Sequence, residues 1–110
     1  IVHNMLTVTG KGMIYAIIIH ANHSSSGIAS AAYTVIDGVL NDIVAWENMN
    51  TIELDRPTDP FMELALYDTT NHIYIAHGWR NITFETSFVL KYSSSVANGT
   101  ITMLAIYSVL

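Results

Sequence analysis

Phe88-Val89-Leu90-Lys91-Tyr92-Ser93-Ser94-Ser95-Val96-Ala97-Asn98-Gly99-Thr100-Ile101-Thr102-Met103-Leu104-Ala105-Ile106-Tyr107-Ser108-Val109-Leu110 is two alternating runs around one turn signal. Asn98-Gly99 is the preferred pair for a two-residue type I′ turn, because both positions need positive φ. Folding there sets Ala97 opposite Thr100, Tyr92 opposite Ala105, Leu90 opposite Tyr107 and Phe88 opposite Val109. The last three pairs then share one face, since strand side chains alternate with period two. A slip of one residue destroys the match. The other face, with Val89, Lys91, Ser93, Thr102, Leu104, Ile106 and Ser108, is mixed. The reading predicts a C-terminal β-hairpin.

The same period continues outward. Met13 to Ile19 reads as a strand, His20 to Gly27 as a loop, and Ile28 to Asp37 as a returning strand stopped by Asp37-Gly38. Both faces of the first of these strands are apolar. Ile14, Ala16 and Ile18 form one set, and Tyr15, Ile17 and Ile19 the other. One set is expected to meet the opposing sheet, and the other to be covered by a neighbouring subunit. Val39 to Trp46 reads as a strand and Glu47 to Pro60 as an acidic loop. Phe61 to Tyr67 and Ile73 to Ala76 read as strands joined around Asp68-Thr69-Thr70-Asn71. A turn at His77-Gly78-Trp79-Arg80-Asn81 leads to a strand over Ile82 to Thr86. About eight strands in 110 residues predict one all-β domain over 1–110, an antiparallel β-sandwich, with the jelly roll as one arrangement of that strand number.

Composition narrows the function. The chain is 51% hydrophobic and only 12% charged, so a domain this small has little charge with which to keep its surface solvated alone. That predicts a homo-oligomer. Its longest apolar run, Met13 to Ile19, is too short to span a bilayer, so membrane insertion is not expected. Four Lys and Arg against nine Asp and Glu give a net charge of −5, which speaks against a phosphate footprint for nucleic acid. With no cysteine there is no disulfide, thiolate metal site or redox pair. A start at Ile1 without a leader reads as a processed product or the C-terminal piece of something longer.

Several segments together resemble small β-sandwich domains of tailed-phage virion proteins, of the kind found in tail fibres, baseplates and receptor-binding tips. Gly10-Lys11-Gly12-Met13-Ile14-Tyr15-Ala16-Ile17 is similar to their opening strand. Tyr33-Thr34-Val35-Ile36-Asp37-Gly38 resembles a strand end of theirs, Ile82 to Leu90 an inner strand, and Ala105-Ile106-Tyr107-Ser108 the last strand. The long acidic loop and Trp46 have no counterpart. The resemblance implies a virion location, other virion proteins as partners, trimeric assembly and contact with a host surface.

Candidate chemistry is sparse. His20 and His23 flank one expected loop, and His72 and His77 bracket a short strand. These four could form a metal site if the regions met, but their spacing fits no metal motif, so none is expected. Glu47, Glu53, Asp55, Asp59, Glu63 and Asp68 lack the Asp-x-Asp-x-Asp-Gly order of a calcium loop and read as solvated. No nucleophile elbow or glycine-rich phosphate loop occurs, so neither an enzyme nor a cofactor is expected. Three Asn-x-Ser/Thr sequons, at Asn22, Asn81 and Asn98, carry little weight in a chain so rich in these residues. Aromatic residues are the better binding candidates. Trp79, with Arg80, Asn81 and Tyr74 near it, is expected to offer a contact surface for a host glycan or a neighbouring virion protein, while Trp46 reads as core. The leading expectation is a virion structural protein. The alternative is a carbohydrate-binding or adhesin-type module of a secreted or cell-surface protein.

Overall fold

The computed structural model describes residues 2–40, 44–51, 63–78, 81–96 and 99–110. In chain order these form β1 (Val2–Thr9), β2 (Gly12–His23), β3 (Ala31–Ile36), β4 (Val39–Leu40), β5 (Val44–Ala45), α1 (Trp46–Thr51), β6 (Glu63–Asp68), β7 (Ile73–Gly78), β8 (Ile82–Phe84), β9 (Ser87–Ser93) and β10 (Gly99–Val109). Two antiparallel sheets pack face to face, as expected of a β-sandwich. The first runs β1-β9-β3-β4, with β5 also on β3; the second runs β10-β2-β7-β6, with β8 also on β2. Between them lie Ile14, Ile17, Ile19, Ala76 and Phe84 from one sheet and Val8, Phe88, Leu90 and Tyr92 from the other, all buried. Trp46, the first residue of α1, joins this core, so the core reading holds although it does not end a strand.

Two turns follow the local chemistry. Asp37 and Gly38 have φ of 53° and 81°, as both central positions of a type I′ turn require, and they join Ile36 to Val39. Asp68 closes the β6–β7 hairpin. Its Oδ1 accepts the backbone N–H of Thr70 and of Asn71, each at 3.0 Å, and its Oδ2 accepts Asn71 Nδ2 at 2.9 Å.

The two long hairpins are not formed. β9 lies between β1 and β3, whereas β10 lies beside β2 in the other sheet. Leu90 faces Leu6 and Thr34, and Tyr107 faces Ile14. Asn98 is outside the described residues; Gly99 begins β10 with a φ outside the left-handed region. The alternation holds in part: Phe88, Leu90 and Tyr92 point into the core and Ala105 packs against it, but Tyr107 and Val109 are 44% and 48% exposed. The partner was also wrong. Ser30 supplies the reason. Its buried Oγ accepts Ser95 N–H at 2.8 Å and bonds Ser95 Oγ at 3.0 Å, which holds the serine run at the start of β3 while the chain crosses to the other sheet. Likewise β2 and β3 belong to opposite sheets, and the expected loop residues His20 to His23 extend β2.

A bulge in β2 corrects the two expected faces. Opposite Ile106 and Tyr107 the partner moves from Ala16 to Ile14, leaving Tyr15 over. The strand therefore changes face there. Ile14 points inward before the bulge, and Ile17, Ile19 and Ala21 point inward after it, all nearly inaccessible. Neither set of three faces one way. Much of the two-sided apolar character comes from this switch, and Ile14, Ala16, Ile17 and Ile19 are buried within the chain's own fold. Tyr15 and Ile18 are the members left facing out.

Candidate functional site

The outer faces of the two sheets differ. On the first sheet β9 turns Ser87, Val89, Lys91 and Ser93 outward, beside Asn4, Thr7 and Thr9 of β1. This face is mixed, and its β3 members Ala31 and Tyr33, opposite Ser93 and Lys91, are buried. On the second sheet Ile18 lies between Leu104 of β10 and His77 of β7. In the next row His20 lies between Thr102 and Ile75, and Ile75 is followed by Leu66 of β6. Ile106 sits opposite Ala16 on the other side of Leu104. Leu104 is 56% exposed, Ile106 53%, Tyr15 41% and Leu66 40%. β2, β7, β8 and β10 carry no Asp, Glu, Lys or Arg. The polar groups of this face are histidines, hydroxyls and amides, with carboxylates only on β6.

At one end of this face is a hollow of about 300 Å³ lined in part by Lys11, Met13, Tyr15, Thr83, Glu85 and Ser108. Tyr15 Oη and Ser108 Oγ are 2.9 Å apart, and Lys11 Nζ lies 3.5 Å from Glu85 Oε2. The result is an exposed aromatic ring bordered by hydroxyls and one ion pair.

No family model and no curated protein matches the chain.

Of the expected binding residues, the structure describes Asn81 and Tyr74. Trp79 and Arg80 lie outside the described residues, and Asn81 is exposed. Tyr74 is a correction: it is fully buried, its ring stacked 5.7 Å from that of Trp46 and tilted against that of Tyr67 at 5.5 Å, so it presents nothing to a ligand at the surface. Its place in β7 opposite Ala21 turns it inward.

A polar network that the sequence did not suggest lies inside the sandwich. Trp46 Nε1–H donates to Tyr92 Oη at 2.7 Å, and His23 Nε2 is 2.8 Å from the same oxygen. Burial, and secondarily the nearby Tyr74, push the Tyr92 phenol up to about 12, despite the opposing hydrogen bonds of Trp46 and Ser30. Burial and then the neighbouring His72 push His23 below its ordinary value, keeping the imidazole neutral. The two histidine regions do meet: His23 N–H donates to His72 O at 2.9 Å. Nδ1 of both rings and the Tyr74 hydroxyl are buried without a hydrogen-bond partner among the described residues. Among the described residues, however, no three His, Cys, Asp or Glu side chains gather as metal ligands require. The signal that could have found His23 is parity, since it follows Ile17, Ile19 and Ala21 on the inward face.

Asp37 makes a second polar knot, at the surface. Its carboxylate accepts N–H groups from Glu85 at 2.9 Å, Thr86 at 2.7 Å and Ser87 at 3.1 Å, and Asp37 N–H donates to Ser87 O at 2.9 Å. These donors, Thr86 first, hold the carboxyl at about 2. The knot ties the β3–β4 turn to the bend between β8 and β9.

Proposed function

We propose that this domain is a structural assembly module that associates with copies of itself, of the kind built into phage virion appendages. One observation carries the reading: the outer face of the second sheet sets Leu66, Leu104, Ile106 and Tyr15 in solvent around half-buried Ile18 and Ile75. A contiguous apolar face of this kind marks an interface in a working protein. The few charges of the chain, and their absence from β2, β7, β8 and β10, point the same way. Closed symmetry among identical copies is the simplest way to cover such a face. The virion setting, the trimer and the other virion proteins as partners come from the resemblance of Gly10 to Ile17, Tyr33 to Gly38, Ile82 to Leu90 and Ala105 to Ser108. Sedimentation of the purified domain tests the reading. An oligomer is expected, and Ile106→Lys is expected to dissociate it while leaving the circular dichroism of the fold. A monomer at all concentrations refutes it.

A second reading keeps the carbohydrate-binding alternative. It rests on the hollow beside Tyr15, where an exposed ring, two hydroxyls and an ion pair are the equipment that stacks on and hydrogen-bonds a sugar. Glycan-array binding that Tyr15→Ala abolishes is its expected result; an array without signal removes it.

A further inference from the structure

An antiparallel sandwich has four outer strands, and each leaves one row of backbone N–H and C=O groups unpaired. Natural proteins protect such edges with shortness, charge or bulges. Three of the four edges here are protected. β4 is two residues long. β6 carries Glu63 and Asp68 and a register break between Leu64 and Leu66. β1 has a break between Asn4 and Leu6. β10 has none of these devices. It is an eleven-residue strand without charge or proline, and the one irregularity in its pairing is the extra residue on β2. Among the described residues nothing pairs with its second edge. Of ten exposed large hydrophobic residues, five lie between Leu104 and Leu110, and they project on both faces of the strand.

We infer that the free edge of β10 pairs antiparallel with β10 of a second copy about a twofold axis, continuing the second sheet across two molecules. This rests on the reading of the domain as a self-assembling module and names a separate contact within it. A second copy is the occupant the strand fits. With no charge on β10, no like charges meet in an antiparallel self-pairing, and about Ala105 it sets Leu104 against Ile106, Met103 against Tyr107 and Thr102 against Ser108. At about 3.4 Å per residue the paired edge extends at most about 37 Å. A single added strand pair is small beside the roughly 1,600 Å² of a standard stable interface. The edge contact is therefore weak alone and forms once the apolar faces hold copies at high local concentration. It joins copies two at a time, whatever closed arrangement the faces adopt.

The cysteine-free chain permits a clean test. About a twofold axis one residue of β10 lies opposite its own copy, with Cα atoms about 5 Å apart, within disulfide reach. Each residue from Ile101 to Tyr107 is replaced in turn by cysteine in the full chain, and disulfide-linked dimer is measured after mild oxidation beside sedimentation of the same sample. A single sharp maximum at one position, falling at least tenfold two residues away, is expected. An oligomer by sedimentation with uniformly slow cross-linking along β10 overturns the edge pairing and leaves the assembly reading standing. A monomer that cross-links nowhere overturns both.

Discussion

Replacing Tyr92 with Phe keeps the ring and removes one oxygen. Tyr92 is fully buried, and that oxygen accepts Trp46 Nε1–H at 2.7 Å and meets His23 Nε2 at 2.8 Å. Both partners are themselves enclosed, Trp46 at 1% and His23 at 3% exposure, so no solvent replaces the lost partner. A buried polar group stranded this way costs about 1–3 kcal/mol, and two groups are stranded. Removing the hydroxyl's own burial penalty offsets part of this, which leaves a loss of about 3 kcal/mol. That is a large share of the roughly 5–15 kcal/mol that holds a domain together. The same substitution at Tyr74 should act in the opposite sense. Among the described residues its buried hydroxyl has no hydrogen-bond partner, so Tyr74→Phe removes a cost and strands none of them. Tyr74→Phe is expected to be neutral or stabilising by about 1 kcal/mol. Urea unfolding followed by far-ultraviolet circular dichroism, at one fixed protomer concentration, measures both. Equal changes in the two variants would refute the reasoning.

Other expected outcomes follow from single contacts. Acid should weaken the fold in two steps. His23, held below its ordinary 6.5, supports stability fully above that pH and less as the pH falls through its lowered folded value. Asp37, held at about 2 against an ordinary 3.8, supports stability above about 4 and loses it as the pH falls towards 2. Thermal melts from pH 8 to pH 2 should show both steps, with His23→Gln removing the upper and Asp37→Ala the lower; a single step insensitive to His23→Gln would count against this. Gly12→Ala should destabilise by about 2 kcal/mol or more, because a Cβ there runs into the Ser108 carbonyl and the Phe84 ring; wild-type stability would show that the backbones can move apart. Gly99→Val should also destabilise, through crowding: a Cβ there stands 3.0 Å from Asn22 O and 3.3 Å from His23 Nδ1. A neutral result in the same urea assay would argue against that packing.

Local signals in the sequence located local structure. Asp37-Gly38 and Asp68 to Asn71 turn the chain where their chemistry says they should, the first because both residues take the positive φ of a type I′ turn and the second because Asp68 accepts N–H groups from its own Thr70 and Asn71. Alternation along Phe88 to Tyr92 named the inward side correctly, because side-chain period belongs to the strand alone, whereas Tyr107 and Val109 lie exposed at the end of an outer strand. What failed was pairing. Asn98-Gly99 is a strong turn signal, yet the partners of β9 and β10 are chosen by contacts far along the chain, such as Ser30 with Ser95. The bulge at Tyr15 was equally hidden, since a run of isoleucines carries no mark at the residue where the strand turns over. The outward members of the candidate interface, Tyr15 and Ile18, were among those expected, but Leu104, Ile106 and Leu66 emerge only once β10 and β6 are placed in the same sheet as β2.

The pairing of β2 with β10 also has a consequence for how the protein is made. Gly12 is matched with Val109 and His23 with Gly99, while Val2 is matched with Ser93. Among the described residues only the β3–β4, β3–β5 and β6–β7 pairings join strands that are near in sequence. A topology so dominated by distant contacts folds slowly, in the range of milliseconds to seconds. A ribosome adding about 5–20 residues per second leaves β2 without its β10 partner for roughly 4–15 s after His23 has been added. Until β7, β8 and then β10 are made, β2 lacks its sheet neighbours, first on both sides and then on one. High expression should therefore favour aggregates over folded protein, and slower synthesis or a holdase chaperone should shift the yield back.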